Sequence, residues 1–267
     1  MNAPGENILE AIRARKREEV ARQRDELPLA RVERVLRLQR RPALSLRGAL
    51  AGSRSGVIAE FKRRSPSRGW IHPGADAALV ARAYQEAGAA AVSCLTDEHF
   101  FGGGFADFER ARAAVTRVPL LRKEFIVDEY QVHQSKVMGA DAILLIAACL
   151  TREEARHFTA LAHALEMEVL LEIHDEGELD YIHPGTDVVG VNNRDLKTFT
   201  TDPARSSRLA GAIPAGHLKI SESGLSRPET ARALRGEGFR GFLVGEGFMK
   251  TPDPGEALRA FIEEVER

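Results

Sequence analysis

The stretch DAILLIAACLTREEARHFTALAHALEMEVLLEI (141–173) places two short apolar runs, DAILLI (141–146) and EVLLEI (168–173), on either side of a segment of helical period. Strand-sized apolar runs separated by a helix-sized segment are the pattern of a βαβ unit, whose strands lie parallel with both faces covered. The same alternation continues outward in both directions. VIAEFK (57–62), AAVSCL (90–95) and VPLLRK (118–123) stand before it, and TDVVGV (186–191), HLKISE (217–222) and GFLVGE (241–246) stand after it. Each run is followed by a helix-compatible stretch, among them Pro203 to Ala210, Pro228 to Arg235 and Pro254 to Glu264. Eight near-equal units in 267 residues fit a closed (β/α)8 barrel, which needs roughly 200 to 250 residues. No GxGxxG follows the first strand to favour an open dinucleotide-binding sheet. The expected class is therefore α/β, a TIM barrel forming a single domain over residues 1–267.

Residues 1–50 precede the first strand and carry a charged amphipathic helix, Ile8 to Arg24, followed by a Leu/Arg-rich stretch. They read as an N-terminal helical extension packed as a lid under or across the barrel, not as a separate domain or a partner-binding helix. With 43% hydrophobic residues the chain can bury a sizeable core, and 29% charged residues with a formal net charge of -1 give an ordinary surface. That balance carries no electrostatic signature of a nucleic-acid partner. No apolar run reaches the roughly 20 residues of a spanning helix, and the charged N-terminus lacks a signal-peptide core. A cytoplasmic protein without a membrane partner is expected, either a monomer or a weak homodimer.

Cys94 and Cys149 each sit in or beside an apolar segment and form no CxxC, so they read as buried small hydrophobes. The eight histidines show no HExxH or other ligand spacing, so no metal site is expected. His174 shares the inward phase of Glu172 and reads as a supporting group.

In a barrel of this kind the reactive groups gather at the C-terminal ends of the strands. Glu60 and Lys62 end the first strand two residues apart, so the period of two turns both to one face and Phe61 to the other. Lys123 ends the third run, Glu172 the fifth, Asn192 follows the sixth in the phase of Gly190, and Glu222 ends the seventh. One such charge would read as a surface group or a structural ion pair, but five strands agreeing point to a shared acid–base site. Lysines and carboxylates so close together titrate as a set, which leaves open which lysine is the acid.

Small residues follow the last two strands, in Ser221-Glu222-Ser223-Gly224 and in Gly245-Glu246-Gly247. There backbone N–H groups can approach an anion, at the position where barrels commonly hold phosphate. The basic loop Arg63 to Gly69 offers Ser65 and further donors to the same cradle, and Phe100 to Phe105 combines aromatic rings with glycines in a manner suited to covering an aromatic ligand.

The segments IAEFKRRSPSRG (58–69), SCLTDEHFFGG (93–103), LRKEFIVDEYQV (121–132), LLEIHDEGEL (170–179), GVNNRDLKTF (190–199), ISESGL (220–225) and FLVGEGFM (242–249) resemble the indole-3-glycerol-phosphate synthases, in family order and over nearly the whole chain. ILEAIRARKREEV (8–20) is similar to the helix that precedes the barrel in that family. The resemblance implies catalytic lysines at Lys62 and Lys123, catalytic glutamates at Glu60 and Glu172, and substrate contacts at Asn192, Arg194, Glu222 and Ser223. It implies a phosphate site on Ser65, Gly224, Gly245 and Glu246. Departures are small: Trp70 stands where a smaller aliphatic residue is often found, and Glu246 where some members have serine.

The substrate so implied is 1-(2-carboxyphenylamino)-1-deoxyribulose 5-phosphate, converted by ring closure, decarboxylation and dehydration. Lys123 is then expected to serve as acid toward the ketone oxygen, with Lys62 holding the substrate carboxylate. Decarboxylation restores aromaticity within the ring, so neither cofactor nor metal is expected. The alternatives are a related sugar-phosphate isomerase on the same barrel, such as a phosphoribosylanthranilate isomerase, and a catalytically silent barrel that binds a phosphate ligand.

Overall fold

The computed structural model describes residues 8–38, 41–195 and 200–267. Residues 1–7, 39 and 40 of the expected extension, and residues 196–199 of the GVNNRDLKTF segment, lie outside the described residues. Eight parallel strands close into a barrel: β1 (Val57–Phe61), β2 (Ala91–Leu95), β3 (Leu120–Lys123), β4 (Ala142–Ile146), β5 (Glu168–Ile173), β6 (Val188–Asn192), β7 (Leu218–Glu222) and β8 (Gly241–Val244). Neighbours in sequence are neighbours in the sheet, and closure is made where Ile58 of β1 pairs both Ala91 of β2 and Leu243 of β8. The strands are apolar runs because parallel strands under a ring of helices are buried on both faces. In β4 all five residues, Ala142 to Ile146, are buried.

All eight strand expectations hold, and no boundary moved by more than two residues. One expectation fails on the helices. After β5 the chain makes a 3-10 helix, Glu176–Tyr181, where an α-helix was expected. Asp175 caps its start by accepting from Gly177 N at 2.9 Å, and Pro184 and Gly185 follow too soon for a full α-helix to develop. The sequence reading also missed a two-residue hairpin after β1, in which Arg64–Ser65 pairs antiparallel with Gly69–Trp70.

The N-terminal extension is a strap that runs from one end of the barrel to the other. Its helix α1 (Ile8–Glu26) buries Leu9, Ile12, Lys16 and Val20, a stripe at i, i+3 and i+4 spacing. Val20 packs with Val32 of α2 (Leu29–Leu36) and with Tyr130, whose hydroxyl donates to the carbonyls of Gln23 and Leu27. Past α2 the strap reaches the N-terminal ends of the strands. There Asp141, just before β4, accepts from Arg41, from Leu44 N at 2.9 Å and from Arg112, and Glu168 at the start of β5 accepts from Ser45 and from Arg47 N. Helix α3 (Leu46–Gly52) then buries Leu46 and Leu50 before β1 begins. Among the described residues no helix is long and apolar enough to cross a membrane.

Candidate active site

One cavity of about 360 Å³ opens at the C-terminal ends of the strands. Every residue expected to act in catalysis or phosphate binding lines it: Glu60, Lys62, Ser65, Lys123, Glu172, Asn192, Arg194, Glu222, Ser223, Gly224, Gly245 and Glu246. The period of two is what turns them inward. Glu60 is buried beneath the mouth, and Lys62, one residue past the end of β1, reaches back to it at 2.7 Å. Phe61 between them is buried on the helix-facing side.

Lys123 ends β3 with its ammonium between two carboxylates. Its Nζ lies 2.9 Å from Glu172 Oε2 and donates a second, shorter bond to Glu222 Oε2. Glu172 also accepts from Asn192 Nδ2 at 3.1 Å, so β3, β5, β6 and β7 converge on one buried polar cluster. Burial alone would lower the proton affinity of Lys123, but Glu172 and Glu222 more than reverse this and hold it above the usual lysine range. The same burial acts on both carboxylates with opposite outcomes. At Glu172 the cations Lys123 and His174 overcome it and draw the carboxyl well below its usual range. At Glu222 burial prevails over the pull of Lys123 and, helped by the neighbouring charge of Glu172, pushes the carboxyl up to about 7.

Two glycines give these carboxylates room. A Cβ on Gly190 would come 2.2 Å from Glu222 Oε1, and one on Gly245 would come 2.6 Å from Glu60 Oε1.

The far end of the cavity carries the loops after β1, β6, β7 and β8. Ser223 and Gly224 both have positive φ, 67° and 73°, and Ser223 is one of only two described non-glycine residues that do. The left-handed region is costly for a side chain with a Cβ and persists where surrounding contacts impose it. Asn193 is the restraint: its Nδ2 donates to Ser223 O and to Ser221 Oγ, each at 3.0 Å. Arg194 donates to Ser67 Oγ and lies 3.9 Å from Glu246, and Arg68 lies 3.4 Å from the same carboxylate. Lys250 joins them at the wall. This end combines serines, glycines and three cations with the one carboxylate of Glu246, a lining whose backbone N–H groups and cations suit an anion.

Between the two polar ends the wall is apolar: Ile8, Leu9 and Ile12 of α1 with Leu95, Phe101, Phe125, Leu144 and Ile146. Of the aromatic loop, only Phe101 reaches the cavity. Phe101 faces the cavity and packs 5.9 Å from Phe125, but Phe105 turns away and lies under the Arg122 guanidinium, 5.3 Å from its ring centre.

The main omission of the sequence reading was Lys16. It is buried on α1 and pairs with Glu19 at 2.8 Å, Asp97 at 2.9 Å and Glu124 at 3.1 Å. The signal was present, since Lys16 falls four residues after Ile12 and four before Val20 on an otherwise apolar stripe.

The indole-3-glycerol phosphate synthase family model matches residues 9–261. The indole-3-glycerol phosphate synthase of Bacteroides thetaiotaomicron is 49% identical over 260 residues, 97% of this chain and 99% of that protein. Those of Polaromonas naphthalenivorans and Dechloromonas aromatica are each 44% identical over 256 residues, 94% of this chain and 97% of theirs. With the match running through both the strap and the whole barrel, the chain belongs to the indole-3-glycerol phosphate synthase family.

Proposed function

We propose that this chain performs the family's reaction with Lys123 as the principal acid and Glu172 as the principal base. As a member of the family it is a carboxy-lyase of tryptophan biosynthesis that makes indole-3-glycerol phosphate. The substrate, 1-(2-carboxyphenylamino)-1-deoxyribulose 5-phosphate, has an aromatic ring with a carboxylate at one end and a phosphoryl group at the other. The cavity has an apolar wall between a lysine- and carboxylate-rich end and a serine-, glycine- and arginine-lined end, which matches the order of groups along the molecule.

In the first step the ring carbon that carries the carboxylate attacks the ketone, a carbon–carbon bond forms, and negative charge builds on the ketone oxygen. The Lys123 ammonium supplies the proton that oxygen needs, and Lys62 holds the substrate carboxylate until it leaves as carbon dioxide and aromaticity returns. In the second step the new hydroxyl leaves as water, and Glu172 removes the proton from the adjacent carbon to complete the indole. Glu60 orients Lys62 through their 2.7 Å contact. Asn192 holds Glu172, and Glu222 and Ser223 flank the reacting end. Ser65, Arg194, Gly224, Gly245 and Glu246 form the phosphate end, whose binding energy aligns the reacting atoms. Neither a metal nor an organic cofactor is needed for either step.

The single observation that carries this reading is Lys123 held between Glu172 and Glu222 at the floor of the cavity. We further infer that residues 1–267 form one domain with residues 1–50 as its extension. We also infer a cytoplasmic protein, monomeric or weakly dimeric, without a nucleic-acid partner. The test is a fluorescence assay for indole-3-glycerol phosphate from the ribulose phosphate substrate without added metal. Product formation supports the synthase, and isomerisation of a phosphoribosyl amine without ring closure would replace it with the isomerase reading.

A further inference from the structure

Lys123 touches two glutamates, and the surroundings of those two differ in a way the reaction can use. Beyond Lys123 and Asn192, Glu172 has a second cation beside it: His174 Nε2 lies 3.3 Å from Glu172 Oε1. His174 is itself buried and clamped from behind by Glu178, which accepts from the His174 backbone N at 2.6 Å and lies 3.3 Å from its Nδ1. Glu222 has no such neighbour. Its Oε1 is buried without a hydrogen-bond partner, in the space over Gly190 that no Cβ occupies.

We propose that His174 is a positioning residue that fixes the negative charge of the Lys123 cluster on Glu172, and so leaves Glu222 as the glutamate that carries and returns a proton. The proposal rests on the roles assigned above to Lys123 and Glu172.

One ammonium between two buried carboxylates leaves an excess negative charge, which a low-dielectric site relieves by protonating one of the two. Which one is decided by the next nearest charge. The groups that face Glu172 are Lys123 from β3, Asn192 from β6, Glu222 from β7 and His174 one residue past the end of its own strand. Burial raises the Cys149 thiol after β4 and the Glu172 charge adds to it, while Glu60 on β1 acts on Glu222 and on Lys123. Of these only Lys123 and His174 are cations, and Lys123 is shared. Burial alone would discharge His174, but Glu172 and Glu178 outweigh it and raise the imidazole to about 10, so it is a cation at neutral pH. Two carboxyls pushed apart by their surroundings are the arrangement by which a site obtains an acid and a base of the same residue type. In the dehydration step the protonated Glu222 donates its proton to the departing hydroxyl, Glu172 accepts one from the ring carbon, and Lys123 between them re-equilibrates the pair. Proton count is conserved over the step, with one given, one taken and one water released.

The experiment is the pH profile of kcat for His174→Gln beside wild type, with Glu178→Gln as a second variant that leaves the imidazole in place but unclamps it. Without the imidazolium Glu172 takes up a proton at higher pH. The acidic limb should therefore move up by about one unit or more, the usual effect of losing an opposite charge at this distance. Activity should fall about tenfold or more on that limb and stay within about threefold of wild type at pH 9, with Glu178→Gln shifted in the same direction by less. A loss of the same factor at every pH, or an unmoved limb in both variants, overturns the proposal. If His174→Gln does not fold, Glu178→Gln decides alone. Failure of the underlying assignment would show separately, as undiminished turnover in Lys123→Ala.

Discussion

Lys16 Nζ lies 3.1 Å from Glu124 Oε1, so a side chain on the helix before the barrel is ion-paired to the chain neighbour of Lys123. The same ammonium pairs with Asp97, which caps the helix leading to Phe101 by accepting from Phe100 N at 2.7 Å. One buried lysine thus ties the roof of the cavity to two of its walls. Burial would by itself lower its proton affinity, yet Glu124 and Asp97 raise it above the ordinary range.

Lys16→Met should destabilise the protein by about 3–5 kcal/mol, because it leaves buried Asp97 without a cation and Glu124 with Arg122 alone, at 3.7 Å. Adding Asp97→Asn should recover part of the loss. Urea denaturation midpoints read both effects, and a change under about 1 kcal/mol would mean that the cluster is solvated in solution.

Lys123→Ala should lower kcat by about 100-fold or more, the scale of a lost general acid, while inorganic phosphate inhibits the variant and wild type alike. Steady-state fluorescence at several phosphate concentrations measures both. Weakened phosphate inhibition would place Lys123 in ligand binding and not in proton transfer.

Gly190→Ala tests the space beside Glu222. The added methyl would meet Glu222 Oε1 at 2.2 Å and Leu170 Cδ1 at 3.1 Å, so the carboxylate must move off Lys123. Displacing a reacting group by about an ångström costs on the order of 100-fold in turnover, with little change in affinity for the phosphate end. A variant with wild-type kcat would show that Glu222 works equally well elsewhere.

His174 also makes a stability prediction. Its folded-state value of about 10 stands above its ordinary 6.5, so its contribution is complete below pH 6.5 and fades as pH rises through 10. The gap in denaturation midpoint between wild type and His174→Gln should therefore narrow from pH 6.5 to pH 10. A gap that widens would reverse the sign of the interaction.

The barrel was legible because its information is local. A run such as AILLI reads as a strand buried on both faces whatever lies next to it, and Lys123 or Glu172 at the end of such a run is placed at the mouth by chain direction alone. What escaped depended on distant partners. Nothing near Lys16 announces Asp97 and Glu124, and nothing near Glu222 announces that His174 sits beside its rival. Phe105 was expected over a ligand because it neighbours Phe100 and Phe101, but the buried Arg122, reached only through the fold, takes its ring instead. The shortened turn after β5 differs for a related reason: Glu176 to Tyr181 has helical composition, and Pro184 with Gly185 sets how far it continues.

The strap across both ends of the cylinder bears on how a newly synthesised chain acquires activity. α1 leaves the ribosome ahead of Asp97, Glu124 and Tyr130, and a lone charged helix of its length is marginal in water. Its anchors are far away along the chain, so its docking carries the entropy of closing long loops. In refolding, far-UV ellipticity should accordingly return before turnover does, and simultaneous recovery would contradict this order. A helix translated before the barrel should thus be installed after it, so that the catalyst is finished only when that helix comes back to close the pocket.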